Sequence, residues 1–395
     1  MKITKISQSH HRVPLDPPFH AAWDGRPRTR FDVSIVRIEI DEGLVGIGSG
    51  DAMPGFAGHE ELFVGRDPRD LERHFRIVEN LSFHYGRCWP LDVALWDLLG
   101  KIAGQPCWRL LGGASPRLRV YASSATPREP AELAELAQRY LSEGYGALKV
   151  RFSRPDWQAE VGGIEAIRKA LGDRIVLMVD ANQAWRMPWD VRPAWTLKDT
   201  LGVARALEEL DVFWLEEPLH RGDLEGMAAL RKATRIRIAG GEMARELHDL
   251  RLLIERGCLD VLQPDAVLIG GLTGLRDIAR SAQGRGIAFT PHSWGNGIGL
   301  MANAHLTAGV GGGPYLEFPY DPPGWTLERR DFPLAEPIRI EQDGWLTLPE
   351  APGLGIELDE ERLAATALDR PASAEAPRPA ARRRGVRRLL PGGRG

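Results

Sequence analysis

Three acids stand where short apolar runs of the chain end: Asp180 in Val179-Asp180-Ala181-Asn182, Glu216 in Leu215-Glu216-Glu217-Pro218, and Glu242 in Gly240-Gly241-Glu242. They are 36 and 26 residues apart, yet they converge if those runs are neighbouring strands of one sheet. Carboxylates brought together repel one another unless a cation sits between them. Oxygen-only donors select a hard ion, and three carboxylates that leave room for water and substrate suit Mg2+ better than Ca2+ or Zn2+. Helix capping or a surface ion pair accounts equally well for any one of these acids. It accounts poorly for three in succession, flanked by Lys149-Val150-Arg151, Gln263-Pro264-Asp265 and Thr290-Pro291-His292-Ser293. Asp265 and His292 end adjacent runs. A carboxylate on one imidazole nitrogen fixes the tautomer and leaves the other nitrogen free as a base.

The elements that must carry these residues are eight short apolar runs: 118–122, 147–151, 175–180, 212–216, 236–239, 261–263, 287–290 and 315–317. Helical stretches such as 130–142, 162–171, 197–209 and 272–283 separate them. Strands alternating with helices in this number predict a TIM-type barrel, whose chemistry sits at the carboxyl ends of the strands. An open doubly wound sheet is the alternative, but it usually has a Gly-rich phosphate loop after its first strand, and none is present. The first ~115 residues read as α+β: a hairpin around Asp41-Glu42-Gly43, then helical patterns near 68–81 and 91–103. The expected organisation is a capping domain at 1–115, completed by about 318–362 with short strands near 338–340 and 345–348. The barrel is expected at 116–317, followed by a basic tail at 363–395 with the composition of a disordered segment.

The chain has 395 residues, 43% of them hydrophobic and 27% charged, as in an ordinary globular protein. Its formal charge is −3; residues 371–395 carry seven arginines and one glutamate, so the tail is +6 and the body −3 − 6 = −9. That balance argues against a nucleic-acid-binding body. No run suits a membrane span or a signal peptide, and three scattered cysteines suggest a reducing compartment. A cytoplasmic location is the expectation.

Taken together, Ala94–Gly113 (ALWDLLGKIAGQPCWRLLGG) and the strand-end motifs through Leu316-Glu317 resemble the mandelate racemase subgroup of the enolase superfamily. The resemblance implies an α/β fold, a modified (β/α)7β TIM barrel with an α+β capping domain, and often a homo-oligomer. It implies Asp180, Glu216 and Glu242 as Mg2+ ligands, Asp265–His292 as a catalytic dyad, and Glu317 as a protonated acid that hydrogen-bonds the substrate carboxylate. Glu217 is then structural. The ene-diolate chemistry is a property of that superfamily and not a deduction from this sequence. Relatives commonly carry Lys-x-Lys at the second barrel strand, the second lysine being a base that faces the histidine. Here Arg151 takes its place, and a guanidinium is a poor base.

The expected activity is dehydration of an aldonate or aldarate, with Lys149 and Arg151 meeting negative charge and His292 moving the proton. A racemase, epimerase or lactone cycloisomerase working through the same ene-diolate is the alternative, and a non-catalytic sugar-acid binding protein a more distant one. The expected partner is a small acid sugar, with no role for nucleic acid or membrane. Specificity is expected from loops at 19–30 and 50–58, with Trp23, His20 and Arg26, and from Asn182 and Trp294 beside the catalytic positions.

Overall fold

The computed structural model describes residues 1–153 and 156–368. The amino-terminal part is a three-stranded antiparallel sheet of β1 (Ile3–Phe19), β2 (Arg28–Ile40) and β3 (Val45–Gly50). Helices Leu71–Tyr85 and Pro90–Ala103 follow. Val36, Ile38 and Ile40 alternate toward Leu91, Ala94, Leu95 and Leu98, so the sheet's apolar face meets the helix's apolar stripe. That contact is so close that a Cβ at Gly46 or Gly48 would fall 2.2 and 2.0 Å from the carbonyl oxygens of Ala94 and Pro90. β1 is not among the elements expected from the sequence, and it contains Pro14, Pro17 and Pro18. The pairing with β2 accommodates them through a register shift between Pro14 and Phe19.

Eight parallel strands follow: β4 (Arg117–Ser123), β5 (Ala147–Arg151), β6 (Val176–Asp180), β7 (Val212–Glu216), β8 (Arg237–Gly240), β9 (Val261–Leu262), β10 (Ala288–Phe289) and β11 (Leu316–Pro319). They pair in the order β10-β9-β8-β7-β6-β5-β4-β11. The ends of this sheet meet where Gly313 N–H donates to Phe289 O (2.9 Å) and Thr290 Oγ1 donates to Tyr315 O. Helices Pro130–Ser142, Trp157–Leu171, Leu197–Glu209, Leu224–Ala233, Leu247–Glu255, Gly271–Gln283 and Gly297–Val310 intervene.

Period two sorts the strand residues into two cores. Leu148, Val150, Leu177, Val179, Leu215, Ile238, Leu262 and Leu316 join the large core beneath the helices. Tyr121, Ala147, Met178, Trp214, Ala239, Val261 and Tyr315 fill the interior. The next inward positions, two residues further along the strands, are Lys149, Asp180, Glu216 and Glu317. The apolar interior is therefore the floor on which the charged residues stand.

Buried hydrogen bonds join the two parts. Asp92 Oδ1 accepts from Thr273 Oγ1 (2.6 Å), which in turn accepts from Trp96 Nε1 (2.8 Å). Asp97, on the same helix as Asp92, accepts from Ile47 N–H of β3 (2.8 Å) and ties in the carboxyl-terminal segment through Leu354 N–H (2.7 Å). The carboxyl-terminal segment differs from expectation. Residues 338–340 form no strand, and β12 (Trp345–Thr347) pairs antiparallel with β4 of the barrel instead of the capping sheet. Residues 360–366 are helical; beyond that helix Ala367 bridges His11, and Leu368 N–H donates to His10 O (2.8 Å). Order thus extends past residue 363, and 369–395 lie outside the described residues. No helix among the described residues is long and apolar enough to cross a membrane.

Candidate active site

Lys149, Arg151, Asp180, Glu216 and Glu317 are the inward residues at the carboxyl ends of β5, β6, β7 and β11. Strand register places Arg151 opposite Asp180 and Asp180 opposite Glu216. Just after β6 and β7 the chain turns through left-handed residues, Asn182 (φ 50°) and Glu217 (φ 48°). Gly241 (φ 113°) makes the corresponding turn before Glu242. Asp265 and His292 follow β9 and β10. All these side chains are buried.

Lys149 Nζ lies 2.6 Å from Glu216 Oε1, 2.9 Å from Glu317 Oε1 and 4.0 Å from Asp180 Oδ2. Burial disfavours its charge, but Glu216 and Glu317 outweigh that and hold its pKa up, at about 12. Arg151 donates to Asp180 Oδ2 (2.5 Å), Asn182 Oδ1 (3.3 Å), Glu317 Oε1 (3.4 Å) and the Ser124 carbonyl (3.1 Å). Its guanidinium lies over Trp23 (4.6 Å) and Trp294 (5.2 Å). Despite burial, Asp180 and Glu317 raise its pKa above the usual arginine value, so it stays a cation. His292 Nδ1 is 3.0 Å from Asp265 Oδ2, and Nε2 is 3.2 Å from Glu242 Oε2. Burial opposes protonation there too, yet Glu242, Glu317 and Asp265 push the imidazole up to about 9.

In this structure the two cations stand between the strand-end acids. Among the described residues no group of three or more His, Cys, Asp or Glu is drawn together closely enough to hold a metal. Lys149 has taken Glu216 and Arg151 has taken Asp180. Glu317, expected as a protonated donor, accepts from Ser123 Oγ (2.7 Å) and Ser293 N–H (2.8 Å) besides the two cations. Burial would raise its pKa, but Lys149, His292 and Arg151 win and hold it far below the usual carboxylate range.

The donor set nevertheless fits a hard divalent cation. Five carboxylates (Asp180, Glu216, Glu242, Asp265, Glu317) meet two permanent cations (Lys149, Arg151), an excess of three negative charges when His292 is neutral. Glu242 Oε2 is buried without a hydrogen bond. Glu217 is buried as well, and burial, followed by Glu242 and Asp180, pushes its carboxyl well above the usual range. A neutral acid of that kind suits a wall better than a metal ligand.

Trp23 and Trp294 roof the centre, 5.0 Å apart edge to face. His20 is exposed, and Arg26 stacks on Trp189 (4.2 Å), so the structure does not gather these two with the charged cluster. Cavities of about 330 Å3, touching Asp265, Ser293 and Trp294, and about 230 Å3, touching Trp23, Asn182 and Trp185, flank the centre. Sequence reasoning missed Trp185, whose indole N–H donates to Glu242 Oε1 (2.9 Å). It missed Gln263 and Trp214, which both donate to Glu216 Oε2 (3.0 and 3.2 Å). It missed Asn303, which donates to Asp265 Oδ1 (2.8 Å). Asn303 alone gave a signal, an amide inside a mostly apolar helix.

Residues 3–112 match the mandelate racemase / muconate lactonizing enzyme N-terminal domain, and 132–362 the enolase C-terminal domain-like family. A 3,6-anhydro-alpha-L-galactonate cycloisomerase of Streptomyces coelicolor is 31% identical over 93% of this chain and 99% of its own length. A D-galactarolactone cycloisomerase of Agrobacterium fabrum is 30% identical over 92% and 98%, and an L-talarate/galactarate dehydratase of Salmonella typhimurium 29% identical over 85% and 83%. The crystal structure of a Streptomyces coelicolor racemase with bound magnesium superposes with a TM-score of 0.79 at 30% identity, covering 93% of this chain and 100% of that one. The chain belongs to the mandelate racemase subgroup of the enolase superfamily.

Proposed function

We propose that this chain is a Mg2+-dependent enzyme that removes the proton α to the carboxylate of an acid sugar and expels the oxygen on the β carbon. In this reading Asp180, Glu216 and Glu242 hold the metal, which supplies Lewis-acid polarisation of the substrate carboxylate. Lys149 and Arg151 meet the charge that develops on the carboxylate oxygens. His292 takes the α-proton at Nε2 while Asp265 holds the imidazolium at Nδ1. The same proton then passes from Nε2 to the departing β-hydroxyl, which leaves as water, and the enol ketonises to a 2-keto-3-deoxy acid. Trp23 and Trp294 keep bulk water from the site.

The observation that carries this reading is the state of Arg151. It is anchored on four sides and permanently charged, so the second barrel strand offers a cation and no second base. One-base chemistry favours elimination over two-base racemisation. The test is an aldonate and aldarate library incubated with MgCl2, read for 2-keto acid and for product mass. Dehydration lowers the mass by one water. Exchange of the α-proton with solvent deuterium, with no keto acid from any member, would overturn the elimination reading.

A second reading is supported by two relatives at 30% identity or above, each named a cycloisomerase. If the β-oxygen belongs to a ring, the same proton transfers open that ring and leave the mass unchanged. Adding sugar-acid lactones and anhydro acids to the library separates the two. Homo-oligomeric assembly is part of the proposal and is checked by light scattering.

A further inference from the structure

Helix Gly297–Val310 is buried almost throughout its length, and its residues are mostly apolar. Asn303, fully buried at its centre, is the exception that points at the site. Its side-chain oxygen accepts from Ala266 N–H (2.9 Å), and a backbone N–H can only donate. The orientation of the amide is thereby fixed, and its NH2 must face Asp265 Oδ1 at 2.8 Å. Asp265 Oδ1 also accepts from Val267 N–H (3.0 Å). With one oxygen held by two donors, the carboxylate plane is set, and the other oxygen meets His292 Nδ1 at 3.0 Å. Asp265 is an acceptor on both sides, so Nδ1 carries the hydrogen and Nε2 is the nitrogen turned toward Glu242 and the centre.

We infer that Asn303 is a positioning residue of this enzyme: through Asp265 it fixes the plane and tautomer of His292. Its side-chain hydrogen bonds go to Ala266 and Asp265 and to none of Asp180, Glu216 or Glu242. The inference rests on the reading of His292 as the base, and the test separates the two. Asn303→Leu keeps the volume and removes the donor. The Nδ1 proton of His292 is observed by NMR in protein labelled with 15N-histidine and is assigned by its absence in His292→Asn. In Asn303→Leu this signal is expected to move or be lost to exchange. On the acid sugar returned by the library screen, kcat is expected to fall about 10–100-fold with KM changed no more than about two-fold. A folded Asn303→Leu protein with the signal unmoved and kcat within about two-fold overturns the inference.

Should Asn303→Leu fail to fold, Asn303→Asp retains the acceptor for Ala266 N–H and nearly the same shape, while turning an oxygen toward Asp265. The same spectral change is expected there, and an unmoved signal overturns the inference. If His292→Asn keeps full turnover, the base assignment fails instead, and the spectrum still judges Asn303.

Discussion

His292 and His305 are thirteen residues apart, both buried, and pushed in opposite directions. His305 lies where helix Gly297–Val310 packs against Cys107–Leu110. Its Nδ1 accepts from Trp108 N–H (3.1 Å) and its Nε2 donates to Leu354 O (3.1 Å). No acid offsets the loss of solvent there, and burial lowers its pKa to about 4, the Leu354 carbonyl opposing only in part. His292 suffers the same desolvation and is nevertheless pushed up to about 9, because Glu242, Glu317 and Asp265 surround it. Burial alone therefore does not decide a histidine's charge; the acids around it do, and under the proposed function their excess negative charge would receive the cation.

The largest expected break in this comparison is His292→Asn. Losing a general acid/base typically costs ~10²–10⁴-fold, so turnover should collapse while Mg2+ affinity, by calorimetry, stays near wild type. Full activity would dissolve the distinction between the two histidines. His305 gives the next effect, in stability. Its folded pKa lies below the unfolded 6.5, so its contribution is intact above pH 6.5 and lost as pH falls toward 4. The loss approaches about 3 kcal/mol, at ~1.4 kcal/mol per pH unit. Urea midpoints at pH 7.5 and 4.5 should differ more in wild type than in His305→Gln, whose amide can both accept and donate.

Trp185→Phe removes the donor to Glu242 and should weaken Mg2+ binding on the order of 10-fold by calorimetry. An unchanged affinity would remove Trp185 from the site. Arg151→Lys is the subtlest. Turnover should fall roughly several-fold, since lysine cannot reproduce the guanidinium's contacts. An epimerised acid sugar should appear beside the keto acid, because an amine able to titrate now sits where a second base would act. Keto acid alone would mean that the absence of a second base does not decide the outcome.

Much of this was legible from residue order. The strand runs predict Lys149, Arg151, Asp180, Glu216 and Glu317 because a two-residue period on a closed sheet sends alternate side chains inward, and that rule is local. What escaped depends on contacts made across the fold. The partners of Glu317 arrive from β4, β5 and the loop after β10, so its ionisation cannot be read from Leu316-Glu317-Phe318. Trp185, three residues beyond the left-handed turn at Asn182, meets Glu242 from 57 residues away in the chain. The pairing of Lys149 with Glu216 and of Arg151 with Asp180 follows from side-chain reach, where the sequence suggests only four strand ends in a row. Arg26, chosen for its charge, spends it on the face of Trp189.

The carboxyl-terminal strap has a consequence for how the molecule is made. His10 and His11 of β1 find their outer partners far along the chain, in Leu368 and Ala367. β4, the first barrel strand, likewise waits for β11 and β12. A nascent chain emerging from the ribosome can order its middle as it appears, but these edges of β1 and β4 stay open until residues 316–319, 345–347 and 367–368 have emerged. Closure is governed by long-range contacts, which are slow to form. Before that moment the exposed edges of β1 and β4 are where a nascent chain of this sequence most needs a chaperone.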